Sequence, residues 1–149
     1  MSESKFVYVT YIRATPEKIW EALTTPEFLQ KYWFGVHQES DWKPGSSWTM
    51  RMPEIGVTDA GEILEAEPPR KMVIKWRNEF KPELKAAGYT RCTYEIEALG
   101  EVTKLTVTHE APEVMVAAVS LGWPMILSSL KSLLETGQPL PRTDKPKKV

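Results

Sequence analysis

The feature of this sequence that most narrows its fold is a change of hydrophobic period along the chain. Beyond Gly122 the apolar residues Trp123, Ile126, Leu127, Leu130 and Leu134 recur at i, i+3, i+4, i+7 and i+11. That spacing draws one stripe down a helix. From Gly35 to His109 the spacing is two instead. Trp48, Met50 and Met52 oppose Ser47, Thr49 and Arg51, and Met72, Ile74 and Trp76 oppose Lys71, Lys75 and Arg77, with Val73 the exception. Cys92, Tyr94, Ile96 and Ala98 oppose Thr93, Glu95 and Glu97, and Leu105, Val107 and His109 oppose Thr106 and Thr108. Alternation of this kind marks antiparallel strands with one wet face. A single long apolar helix stripe and one continuous apolar sheet face bury each other, which predicts an α+β layer architecture.

Turns and caps divide the chain into elements. Lys43-Pro44-Gly45, Pro68-Pro69 and Gly100-Glu101 separate the strands, residues 57–67 read as a more acidic strand around Ile63 and Leu64, and residues 79–89 read as a loop. Residues 5–13 are β-branched and aromatic on both faces and read as a first strand. Thr15-Pro16-Glu17 and Thr25-Pro26-Glu27 each place a capping hydroxyl, a proline suited to the first helical position and an acid at the positive end of a helix. They predict two short helices, one through Ile19, Trp20 and Leu23, the other through Phe28, Leu29, Tyr32 and Trp33. Thr136-Gly137 stops the long helix, and Pro124 either begins that helix or kinks a longer one starting near Pro112. Five or six strands are thus expected between the helix pair and the long helix. Residues 1–137 form the expected single domain, and the Pro/Lys-rich residues 138–149 an expected disordered tail.

Composition excludes several classes of function. The chain has 149 residues with 19 Lys+Arg against 20 Asp+Glu, a net charge of −1. No strongly basic surface for a nucleic-acid backbone follows from that balance. One cysteine and two histidines leave no disulfide framework, no HExxH, no CxxC and no expected metal site. Pro44-Gly45-Ser46-Ser47 lacks the lysine of a phosphate loop, and no G-x-S-x-G elbow supports a serine nucleophile. Cys92, mid-strand among apolar neighbours, is expected to be inert. No cofactor is implied. The N-terminal stretch lacks a basic segment before an apolar core and no window reads as a membrane span, so cytoplasmic residence without membrane insertion is the expectation.

Specific words in the sequence resemble a known family. Ala14 through Thr24, Trp33-Phe34-Gly35, Leu105 through Glu110, Gly122 through Leu127 and Leu133 through Gly137 resemble the helix-grip (START/Bet v-like) fold of the START/SRPBCC superfamily. More narrowly they resemble the activator of heat-shock protein 90 ATPase homologue family, over about residues 5–137. The resemblance implies a curved antiparallel sheet wrapped around the C-terminal helix, with a cavity between them. In the eukaryotic co-chaperone a separate N-terminal domain engages the chaperone. This sequence shows the single domain, so the resemblance implies fold and ancestry more than chaperone activation.

The expected function is binding of a small apolar or amphipathic molecule in that cavity. Its expected ring is Trp48, Met50, Trp76, Tyr94, His109, Trp123 and Leu127. Each of these also reads as ordinary core. Met adapts its shape to a ligand, and Trp adds one N–H donor. His109 has two readings, a half-buried hydrogen-bonded histidine or a group that orients a ligand or shuttles a proton. His37, in a polar loop, reads as solvated or rim-lining. No catalytic residue is assigned, and the reading leans away from an enzyme. One alternative is a polyketide cyclase/dehydratase-type enzyme, with His109 and Tyr94 the only inward acid–base candidates. The other is a protein-interaction module, co-chaperone-like or a homodimer. Arg51, Lys71, Lys75 and Arg77 face outward among glutamates and read as a mixed-charge surface.

Overall fold

Residues 4–141 are described by the structure, a computed structural model. The order is β1 (Ser4–Ile12), α1 (Pro16–Thr24), α2 (Pro26–Tyr32), β2 (His37–Ser40), β3 (Ser47–Met52) and β4 (Gly56–Glu67). It continues with β5 (Lys71–Asn78), α3 (Pro82–Ala86), β6 (Thr90–Leu99), β7 (Val102–Ala111) and α4 (Glu113–Thr136). The strands form one sheet of order β1-β7-β6-β5-β4-β3-β2, every pair antiparallel. The first strand therefore closes beside the last, and α4 packs against β1, β7 and α2.

The two Thr-Pro-Glu signals both start helices, but by different means. Thr15 Oγ1 accepts the Lys18 amide at 3.2 Å, whereas Thr25 turns the backbone without a side-chain cap. Gly137 ends α4 in the left-handed region at φ +86°, and its amide reaches the Leu133 carbonyl at 2.9 Å. Of the two readings of Pro124 the longer helix holds: α4 begins just after Pro112 and carries Pro124 inside it.

Three expectations are corrected. The stretch 79–89 is not all loop, because Pro82–Ala86 forms α3 and buries Leu84. His37 belongs to a strand, β2, which pairs with β3. Against the expectation that no window reads as a membrane span, α4 is long and apolar enough to cross a membrane by length and composition alone, and 28% of its most apolar stretch is buried inside the molecule. Of the expected tail, Leu140 donates its amide to Ser129 Oγ at 3.2 Å, and residues 142–149 lie outside the described residues.

The core lies between the sheet and α4, with α1 and α2 closing one end. Outward-facing charges interleave as expected: Glu65 meets Lys71 at 3.5 Å and Arg91 at 3.4 Å, and Glu39 meets Arg51 at 4.0 Å. These pairs are exposed and contribute little to stability.

Candidate functional site

Four indoles meet where the first half of α4 crosses the sheet. Trp48 on β3 and Trp76 on β5 both pair with Gly61 on the strand between them. Their ring centroids are 4.6 Å apart. Trp123 on α4 sits edge-on to Trp76 at 5.9 Å, and Trp33, just past α2, lies 5.4 Å from Trp123 and 6.3 Å from Trp76. Gly61 permits this convergence because any side chain there collides with its neighbour strand. A Cβ at residue 61 would stand 1.6 Å from the Lys75 carbonyl oxygen.

Each of three indole N–H groups is held by a different buried acceptor. Trp48 Nε1 donates to Gln38 Oε1 at 3.1 Å, Trp76 Nε1 to Asp59 Oδ2 at 2.7 Å, and Trp123 Nε1 to His109 Nδ1 at 3.1 Å. Those donors are satisfied within the protein, and of the three indoles Trp76 and Trp123 line the adjoining hollow. The expected role of the Trp N–H groups as ligand contacts is thereby corrected.

His109 is fully enclosed, and its hydrogen bonds define its tautomer. Nδ1 accepts from Trp123, so the proton lies on Nε2, which donates to Thr90 Oγ1 at 2.8 Å. The Thr90 hydroxyl in turn donates to the Trp76 carbonyl at 2.8 Å. Burial lowers the His109 pKa to about 4, because the enclosing apolar groups penalise the charged imidazolium. The structure thus gives the hydrogen-bonded core histidine of the two readings. Burial likewise pushes the Tyr94 phenol well up, with Cys92 beside it adding to the rise, and burial pushes up the Cys92 thiol too. Asp59 is buried beside Trp76, and burial raises its pKa, opposed by hydrogen bonds from Trp76, Thr58 and Asn78.

Beside this cluster two apolar hollows adjoin one another. The larger, about 250 Å³, is lined among others by Trp33, Met50, Trp76, Leu84, Gly122 and Trp123. The smaller, about 160 Å³, is lined by Trp33, Phe34, Val36, Met52, Gly122, Met125 and Ile126. Trp33, Gly122 and Ile126 belong to both. Gly122 leaves the space open: a Cβ there would meet only Ile126 Cδ1, at 3.9 Å. Phe34 reaches the smaller hollow from a left-handed backbone, φ +54°, a conformation costly for a bulky residue. A hollow of about 600 Å³ lies elsewhere, over outward-facing Lys71, Glu95, Glu97 and Lys104, where both charge signs meet in a solvated surface.

Of the seven expected ring residues, Met50, Trp76 and Trp123 line the larger hollow. Trp48, Tyr94, His109 and Leu127 stand behind it in the core. Trp33, Phe34 and Gly122 were not expected there. Their signal, Trp33-Phe34-Gly35 and the glycine before Trp123, is present in the sequence but does not state that α2 and α4 meet. Among the described residues no cluster of His, Cys, Asp and Glu is arranged to hold a metal ion.

A seven-stranded antiparallel sheet closed on one long C-terminal helix, with a hollow between them, defines a protein of the helix-grip class. Residues 13–135 match the family model described as activator of Hsp90 ATPase homolog 1-like protein, and the chain belongs to that family. The chain is similar to the solved structure of ChR145 from Cytophaga hutchinsonii, with 28% identity over 90% of this chain and 95% of that one, TM-score 0.73. It is similar in fold to the Aha1 dimer from Colwellia psychrerythraea, with 24% identity over 90% and 98% of the chains, TM-score 0.71. DynU16, of the dynemicin biosynthetic locus, shares 24% identity over 91% of this chain and 48% of its own, TM-score 0.70. Comparison with curated proteins finds no match.

Proposed function

We propose that this protein binds a small, largely apolar molecule in the paired hollows between α4 and the sheet, with Met50, Trp76 and Trp123 of the expected ring in contact. The observation that carries this reading is the set of anchored indoles beside an unfilled apolar space at Gly122. Ligand sites are mostly apolar and usually larger than ~300 Å³, so one hollow suits a small occupant and both together a longer one. The similarity to a protein of a biosynthetic locus supports a small-molecule ligand. Binding is favoured over turnover because both ring nitrogens of His109 are taken by Thr90 and Trp123, and burial holds the Tyr94 phenol protonated.

Gly122→Leu tests this directly. The new side chain enters open space, and replacing a mid-helix glycine gains about 1 kcal/mol of helix propensity. The expected result is a protein at least as stable as the parent that no longer shows quenching of tryptophan emission by small apolar ligands. Undiminished quenching in the variant places the ligand elsewhere and sinks the reading.

A second reading, self-association, rests on a different observation. The outer side of α4 exposes Val114 and Leu121, the latter 82% exposed, along an apolar helix. The similar Aha1 structure is a dimer.

A further inference from the structure

Among the described residues one buried side-chain nitrogen or oxygen has no hydrogen-bond partner: Nε2 of Gln38. The other buried polar groups at the indole cluster, Asp59, Thr90 and His109, are all engaged. The amide cannot be turned round to escape this. Its other atom must be the oxygen, because it accepts the Trp48 N–H at 3.1 Å, and turning the amide would set two donors against each other. An orphaned buried donor costs about 1–3 kcal/mol, a penalty that an acceptor brought to it would relieve.

Gln38 lines neither hollow itself, and the sheet register sets it directly beside Met50, which lines the larger. Gln38 pairs directly with Met50, so their side chains stand side by side on the same face. Met50 lines the larger hollow, and Val36, just before β2, lines the smaller. Across the sheet the row reads Gln38, Met50, Asp59, Asn78, and the two flanking side chains, Gln38 and Asp59, each hold one of the stacked indoles. The Met50 thioether chain is the adaptable member of the row and the one a ligand would displace to reach the amide.

We propose that Gln38 is the polar specificity determinant of the site, and that the ligand is an apolar molecule bearing an uncharged acceptor oxygen, such as an aromatic ketone, which Nε2 of Gln38 meets. The inference rests on the binding site proposed above and names the chemical class it selects. Of the four neighbouring indole N–H groups those of Trp48, Trp76 and Trp123 are consumed internally, and Nε2 of Gln38 is the buried donor beside Met50 that is left unpaired.

A matched pair of probes, fluorenone and fluorene, separates the acceptor from the apolar body. Wild-type protein is expected to bind fluorenone roughly tenfold more tightly than fluorene, the scale of one hydrogen bond to an otherwise unpaired donor. Gln38→Met is expected to equalise the two while fluorene still binds. A measurement on the unaltered protein guards against a variant that fails to fold. The Gln38 side-chain amide resonance in a nitrogen–proton NMR spectrum should move on adding fluorenone and stay in place with fluorene. Equal affinities in the wild type, a preference that survives in Gln38→Met, or an unmoved amide resonance overturns the assignment while leaving the apolar site intact. Failure of both probes to bind overturns the site itself, and the Gln38 assignment with it.

Discussion

At the scale of single residues, His109 and Asp59 do opposite things to stability as pH changes. The folded His109 titrates near 4 and the unfolded one near 6.5, so the unfolded chain binds more protons between those values. Stability is therefore complete above about pH 6.5 and falls as the solution is acidified through 4, by roughly 3 kcal/mol from this residue. His109→Gln keeps a donor and an acceptor but does not titrate; chemical unfolding between pH 7 and 4 should show a shallower loss for the variant. Parallel curves would contradict the buried, neutral imidazole. Asp59 has a raised pKa, so its contribution is present at low pH and is lost as pH rises through its folded value. Asp59→Asn removes that penalty and leaves an oxygen for the Trp76 N–H. It should be relatively more stabilised at pH 7 than at pH 4, read by the same unfolding series. Alternation alone shows that His109 continues the Leu105 and Val107 face. It does not show that Trp123 and Thr90 occupy both ring nitrogens, since those partners come from a helix and another strand.

At the scale of elements, the period of the apolar residues carries most of the fold. β3, β5, β6 and β7 each alternate long enough to be read, and α4 shows its stripe over three turns. β2 and α3 are not legible in that way. His37-Gln38-Glu39-Ser40 has no apolar alternation, because its inward residue is the buried Gln38, and α3 is five residues long, too short for a helical period. Position in a crowded sheet also decides what a glycine does. Gly61→Ala would drive a methyl group into the Lys75 carbonyl and force β4 and β5 apart beneath the stacked indoles. The expected cost is about 3 kcal/mol, the upper range for overpacking, and thermal unfolding of the variant measures it. Gly122 takes the same substitution freely, which separates a glycine that packs from one that leaves room.

At the scale of the whole molecule, the near-zero charge and the apolar outer side of α4 bear on association more than on fold. If that side joins two copies, wild-type protein sediments as a dimer and Leu121→Glu as a monomer, with unchanged unfolding. A wild-type monomer at high concentration removes the self-association reading and leaves the hollow untouched. The fold class is legible from period, and the meeting of α2 with α4 is not, because it joins residues some 90 positions apart that share no local pattern. The three anchored indoles have a thermodynamic consequence. Their rotamers are locked when the chain folds, by acceptors on β2, β4 and β7. In the binding role proposed above, a ligand meeting Trp76 and Trp123 would find a preorganised surface and forfeit little conformational entropy of these side chains, so even a small occupant would keep most of the free energy its contacts generate.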